Sequence, residues 1–285
     1  MCEDRSPRIY KVLIMILPVG VVIGTIVFMW MYFAKHQEES NEQNVIIATG
    51  IRISDLEDMV RKFTVLIGLR TSETEEGRIG LRQAAATIEG RLGPKNLGLM
   101  VRKDSGEAAY GLLFKSLWVD IRGQDRAKEI VFMAVSYAGE GEVADSNTVA
   151  TVMMLASSLA NEKPSRTIRF VFLPFDRSPA DQKSWLRERC LSDDESCFAV
   201  IGLKTMQQAP QISADSWQMV NTDSKAKLWW ESLRKGDLLD TDMPNVWITH
   251  PVYAADAWQN KKNERLNATI EVTQEIRGWL YTVAK

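Results

Sequence analysis

A chain of 285 residues with 45% hydrophobic and 25% charged residues has room for one sizeable α/β domain and is not of disordered composition. Its net charge of −2, pI near 5.9 and lack of an arginine-rich tract give no footprint for nucleic acid, which is not expected as a partner. With only two histidines, His36 and His250, an imidazole-rich metal cluster is excluded.

Residues 1–11 carry Arg5, Arg8 and Lys11 and read as a short cytoplasmic tail. Residues 12–33, Val12 to Phe33, form an uncharged apolar run of about 22 residues, the length a helix needs to cross a bilayer. Trp30 and Tyr32 stand at its far end, where aromatic rings favour the interface. No small-x-small cleavage site follows, so the run is expected to stay as an anchor. Only Lys35 flanks its far side before an acidic stretch; the positive-inside rule puts the main domain outside the cytoplasm, in the periplasm if the source is bacterial. The protein is therefore expected to be single-pass, with the lipid bilayer as its first partner. Gly20 and Gly24 form a GxxxG that would let two anchors approach as a homodimer, although glycine is common in membrane helices without that role.

Residues 34–50 read as a polar juxtamembrane linker, and 51–285 as the extracytoplasmic domain. Ser54-Asp-Leu-Glu57 is a capping-box pattern for a helix through about Leu66. A turn at Gly68–Ser72 precedes a second helix over Glu76–Leu92, stopped by Gly93-Pro94. Strands are expected at Leu97–Arg102, Leu112–Ile121 and Ile130–Val135. Asp145 or Ser146 can cap a helix over Thr148–Leu159, and Ile168–Leu173 is the continuous apolar run of a strand covered on both faces. Pro179 opens a helix through Glu188. A strand at Phe198–Leu203, a helix at Ser224–Arg234, a strand at Asn245–Thr249 and a helix over Asn263–Val283 complete the order. The alternation predicts an α/β fold: a mixed, mostly parallel sheet with helices on both faces. Cys190 and Cys197 flank a short acidic loop and, in an oxidising compartment, are expected to form a disulfide. Asn267-Ala-Thr is a sequon in form only, inside the last predicted helix.

The segment Glu129–Arg177, EIVFMAVSYAGEGEVADSNTVATVMMLASSLANEKPSRTIRFVFLPFDR, strongly resembles the core of the M28 (aminopeptidase Y-like) zinc metallopeptidases. In that family a strand ends in His-x-Asp, a loop like Ala-Asp-Asp-Asn-Ala-Ser-Gly opens a helix, and Arg-Thr-Ile-Arg-Phe-Val-Phe runs into Glu-Glu. The entry through Gly68, Arg70 and Ala84–Ala86 also resembles the family, and the likeness is good over about 54–204. It implies a truncated zinc-aminopeptidase-like fold, since only about 45 residues separate Lys204 from the position of the last His.

The resemblance also places each ligand position. The first His falls on Ser136, the following Asp on Ala138 and the bridging Asp on Ser146. The general-base Glu falls on Asp176, the adjacent ligand Glu on Arg177, a further ligand Asp on Lys204, and the final His loosely on His250. Zinc needs neutral imidazole and ionised carboxylate. Like charges about 4 Å apart repel by roughly 4 kcal/mol at an effective dielectric of 20, twice that for a divalent ion, so Arg177 and Lys204 oppose a metal. The zinc site is expected to be lost, leaving no cofactor. Asp145, Asp176, Arg177 and Lys204 then form a candidate cleft, as an ion-pair plug or as an anion site. The plug is the favoured reading, because buried charges must be paired. Ser136, Asp176 and His250 have the residue types of a serine triad, but no Gly-x-Ser-x-Gly elbow surrounds Ser136.

The expected function is that of a membrane-anchored, catalytically inactive peptidase-like domain acting as a binding or scaffold subunit with a membrane or envelope protein partner. The alternatives are a zinc aminopeptidase or other hydrolase with an unusual metal site, or a spacer.

Overall fold

The computed structural model describes residues 24–25, 27–31, 50–109, 111–204, 218–219, 224–235, 245–249 and 262–285. The chain divides into two units, Met1–Val45 and Ile46–Lys285. In the first, the described residues are helical, and Val27 to Met31 are exposed along that helix. Among the described residues no helix is long and apolar enough to cross a membrane. Most of the expected anchor, with Gly20, lies outside the described residues, as do the cytoplasmic tail, His36, His250 and nearly all of the linker.

The second unit is a mixed α/β domain. Its sheet contains β1 (Arg102–Ala109), β2 (Leu112–Ile121), β3 (Arg126–Ser136), β4 (Arg166–Leu173), β5 (Ser196–Leu203), β6 (Gln218–Met219) and β7 (Asn245–Thr249), in the order β1-β2-β4-β3-β5-β7-β6. The β4–β3, β3–β5 and β5–β7 ladders are parallel, and β1–β2, β2–β4 and β6–β7 antiparallel. The parallel character expected of the sheet is thus confined to its centre, because the flanks are built from antiparallel neighbours that need no helical crossover.

The helices are α1 (Ile53–Arg61), continued by a π-helical segment Lys62–Ile67, then α2 (Glu75–Leu92), α3 (Val143–Leu159), α4 (Pro179–Cys190), α5 (Ser224–Lys235) and α6 (Lys262–Ala284). Strand alternation divides the core. Val131, Met133 and Val135 of β3, with Ile168, Phe170 and Phe172 of β4, join the cluster with α1, α2, α3, α5 and α6. Ile130, Phe132, Ala134, Val171 and Leu173 point the other way, against Trp185 and Leu186 of α4. Helix α3 is buried over almost its whole circumference, which is why its sequence has no polar face.

Four local expectations are corrected. Helix α1 begins at Ile53 without a side-chain cap, so the Ser54 capping box does not form. Strand β1 starts at Arg102, five residues later than expected. Gly93 carbonyl accepts from the N–H groups of Asn96, Leu97 and Gly98, and Gly98 has φ 83°, so Leu97 and Leu99 are buried from a loop. Helix α3 starts at Val143, ahead of Asp145 and Ser146, whose side chains bond elsewhere.

The fourth concerns the cysteines. Cys190 and Cys197 are not bridged: Cys190 ends α4 inside the smaller core cluster, and Cys197 packs at its margin. Burial pushes the Cys197 thiol up, against the pull of Arg187 and Lys183. The intervening loop is closed ionically instead. The buried Arg169 donates to both carboxylates, Asp120 and Glu195, and to the Cys190 carbonyl, while Glu195 also accepts from Ser192 N–H at 3.0 Å. Burial alone would lower the Arg169 pKa and raise that of Glu195; bonding to Asp120 and Glu195 raises the first instead, and bonding to Arg169 and Ser192 N–H lowers the second.

Candidate functional site

Strand β3 feeds α3 on one face of the sheet, whereas its neighbour β4 feeds α4 on the other. Loops leaving adjacent strands toward opposite faces open a crevice beyond the strands' C-terminal ends, the usual ligand position in such sheets. Here it is a cleft of about 280 Å³. Its walls are Ser136, Ala138, Gly139 and Glu140 after β3, Phe175 and Asp176 after β4, Leu203 and Lys204 at the end of β5, the turn Arg70-Thr71-Ser72, and Thr148 of α3.

Arg70 builds the back of this cleft. Its side chain is fully buried, and every donor nitrogen has a partner: Nε donates to Tyr137 carbonyl, Nη1 to Phe63 and Gly68 carbonyls, and Nη2 to Asp145 Oδ1, each at 2.8 Å. The Arg70 and Gly139 backbones exchange both hydrogen bonds, at 2.7 and 3.0 Å. The second Asp145 oxygen accepts from Gly141 N–H at 3.2 Å, and Ser146 Oγ donates to Oδ1 at 3.0 Å. Two glycines are required for this approach. A Cβ on Gly139 would stand 2.1 Å from Asp145 Oδ2, and Gly141, with φ 84°, would place one 2.7 Å from the Gly68 carbonyl carbon. The turn after the π-helical segment, the loop after β3 and the start of α3 are thus tied through one guanidinium.

The mouth is held differently. Lys204 Nζ donates to Asp176 Oδ1 and, at 2.9 Å, to the Arg177 carbonyl, joining the end of β5 to the loop after β4. The Lys204 side chain is 17% exposed and that of Asp176 66%. Arg177 turns away from the cleft, its guanidinium 5.8 Å from the Trp185 ring centre on α4.

The four cleft residues singled out from the sequence therefore separate. Asp176 and Lys204 meet at the mouth, Asp145 lies behind with Arg70, and Arg177 lines no part of the cavity. Of the remaining ligand positions, Ser136 lines the cleft and accepts Ala138 N–H at 3.2 Å, whereas Ser146 is buried beside Asp145. His250 lies outside the described residues. The role of Arg70 was missed in sequence, although Gly68-Leu-Arg70 was visible as a motif; nothing local signals a partner 75 positions away. Also unforeseen, both amide atoms of Asn147 and the hydroxyl of Thr151, one turn apart on α3, are buried without a hydrogen-bond partner.

These donors do not fit a zinc pair. The cleft walls offer two carboxylates, Asp176, which already accepts from an ammonium, and Glu140, with that ammonium, the hydroxyls of Ser136, Thr71, Ser72 and Thr148, and no imidazole among the described residues. Among the described residues no group of three or more His, Cys, Asp or Glu could hold a metal ion.

Solved structures share the fold. A leucine aminopeptidase precursor from Bacteroides thetaiotaomicron matches at 13% identity and TM-score 0.52, over 83% of this chain and 99% of its own. Glutaminyl cyclase from Porphyromonas gingivalis matches at 13% and 0.52, over 80% and 97%, and LapB from Legionella pneumophila at 11% and 0.56, over 87% and 75%. At such identities the likeness is one of fold. No family model matches the sequence, and no curated protein does.

Proposed function

We propose that this chain is a metal-free, catalytically inactive relative of the M28 peptidases that works by binding. It would be anchored through residues 12–33 with its domain outside the cytoplasm, as a binding or scaffold subunit of a membrane or envelope assembly. The observation that carries this reading is the fate of Lys204. At a position where the family resemblance requires a ligand carboxylate, an ammonium is already bonded to Asp176 and the Arg177 carbonyl. A divalent ion there would have to displace or repel a fixed positive charge. The same bonds favour the plug over an anion site, since two of the ammonium's three donors and its counter-charge are already taken within the chain. Fold alone licenses no activity, and the chemistry of the site supports none of the metal-assisted kind.

The test is metal content and turnover of the purified full-length chain. The expected result is no stoichiometric zinc after dialysis against zinc buffer, and no cleavage of aminoacyl reporters or cyclisation of N-terminal glutaminyl peptides. Stoichiometric zinc with turnover that Asp176→Asn abolishes would establish the enzyme reading instead.

A further inference from the structure

A second concavity lies away from the cleft. It runs between α1 with its π-helical continuation on one side and α2 on the other, over about 470 Å³. Met59 and Met153 form part of its lining, and both are buried. Unbranched thioether side chains re-pack readily against different apolar surfaces.

Three features of its walls point outward as well as into the fold. The first is the π-helical segment itself, a rare conformation that is frequent at functional sites. It buries Phe63 and leaves Leu66, which lines the trough beside Ile67, exposed at 60%. The second is Gly90, exposed in the last turn of α2 beside Arg91. Glycine weakens a helix there, and a Cβ would meet nothing within 4 Å, so no contact in this chain requires it. A glycine there permits another backbone to approach closely. The third is charge. Lys62 and Arg91 line the trough, and the single carboxylate there, Asp58, is shared by Lys62 at 2.6 Å and Arg61 at 3.6 Å. The Lys62 hydrogen bond holds the Asp58 carboxyl below its ordinary range, with Arg61 adding to it, so the carboxylate stays ionised and internally neutralised. The rim is left with a positive excess.

We infer that this trough docks an amphipathic helix of a protein partner, one with a narrow apolar stripe flanked by carboxylates. Leu66 and Ile67 would meet the stripe, Gly90 would admit the helix backbone, and Arg91 and Lys62 would face the flanking acids. The trough lies between two helices and is not an enclosed cavity, the form that suits a helix rather than an engulfed small molecule. The inference does not depend on whether the cleft is catalytic.

The test uses the full-length chain in nanodiscs, with fluorescence anisotropy of a stapled peptide of about 14 residues, roughly four helical turns. Its leucines would be spaced i, i+3, i+4, i+7 and flanked by glutamates; the control carries lysines on the same stripe. Saturable binding of the glutamate peptide is expected, roughly tenfold tighter than the lysine peptide and roughly tenfold weakened by Leu66→Glu. Gly90→Leu separates docking from folding: it should keep or raise the Tm while lowering affinity. Equal binding of the two peptides, no saturable binding of either, or unchanged affinity in Gly90→Leu would overturn the proposal. Concentration-dependent dimerisation abolished by Leu66→Glu would overturn it in favour of a second copy of this chain.

Discussion

The Arg70–Asp145 and Lys204–Asp176 pairs stand at the back and the mouth of one cleft, and they are built on different principles. At the back, a rigid planar guanidinium is wholly buried with each of its three nitrogens bonded, and the carboxylate it meets is bonded from three directions. At the mouth, a flexible ammonium reaches a carboxylate that is two-thirds in solvent. The first pair closes three segments of backbone and needs glycines to let them meet; the second joins two loop ends and displaces nothing. The cleft can therefore keep its shape while the chemistry at its mouth changes, because the two are held by separate interactions.

The largest effect should come from breaking the buried pair. Arg70→Met leaves the Asp145 carboxylate buried without its cation and should cost about 3–5 kcal/mol in urea unfolding. Arg70→Lys should rescue little, since one ammonium cannot reproduce the fork. A loss below about 1 kcal/mol would make the back of the cleft no more structural than its mouth.

The Arg169–Glu195 contact is an intermediate case. Glu195→Gln should cost about 1.5–3 kcal/mol near neutral pH, as expected for a hydrogen bond to a charged group. The lowered pKa of Glu195 fixes the sign. Its contribution is full above the ordinary value of 4.5 and is lost as pH falls through the lower folded value, so the variant should have a flatter acid limb. Equal slopes in the two chains between about pH 5 and pH 2 would remove Glu195 from the account.

Buried polarity without a partner should behave in the opposite way. Thr151→Val keeps the shape of the side chain and removes an unpaired hydroxyl, so the Tm should rise, by an amount corresponding to about 1 kcal/mol. Smallest of all, Lys204→Met should cost about 0.2–1 kcal/mol, and less in high salt, because its partner is exposed. A larger loss would mean that mouth and back are coupled after all.

The order of strands and helices was legible from particular residues. Ile168–Leu173 is a continuous apolar run, Pro179 stands at the start of a helix that Ser178 caps, and Gly93-Pro94 ends another. Strand β1 was not legible, since Arg102–Ala109 is a polar edge strand kinked between Asp104 and Glu107, and it reads as a turn. Within the site, the sequence placed Ser136, Asp176 and Lys204 at strand ends, where the structure has them. It did not separate Asp145 from that group or turn Arg177 toward Trp185, since both outcomes depend on which distant side chain arrives first at a carboxylate or a ring.

What the sequence determined by itself is most of the elements, β1, the short β6 and the π-helical segment apart, because apolar runs, caps and breakers act over a few residues. From the same text came the kinds of residue at the strand ends, and with them the poverty of metal donors there. Tertiary structure alone decided the pairings: Asp145 with Arg70, Lys204 with Asp176, Arg169 with Asp120 and Glu195, and two cysteines left unjoined. A charge has no intrinsic partner along the chain. It takes whichever opposite charge the packed backbone brings within reach, and only the folded molecule defines that distance.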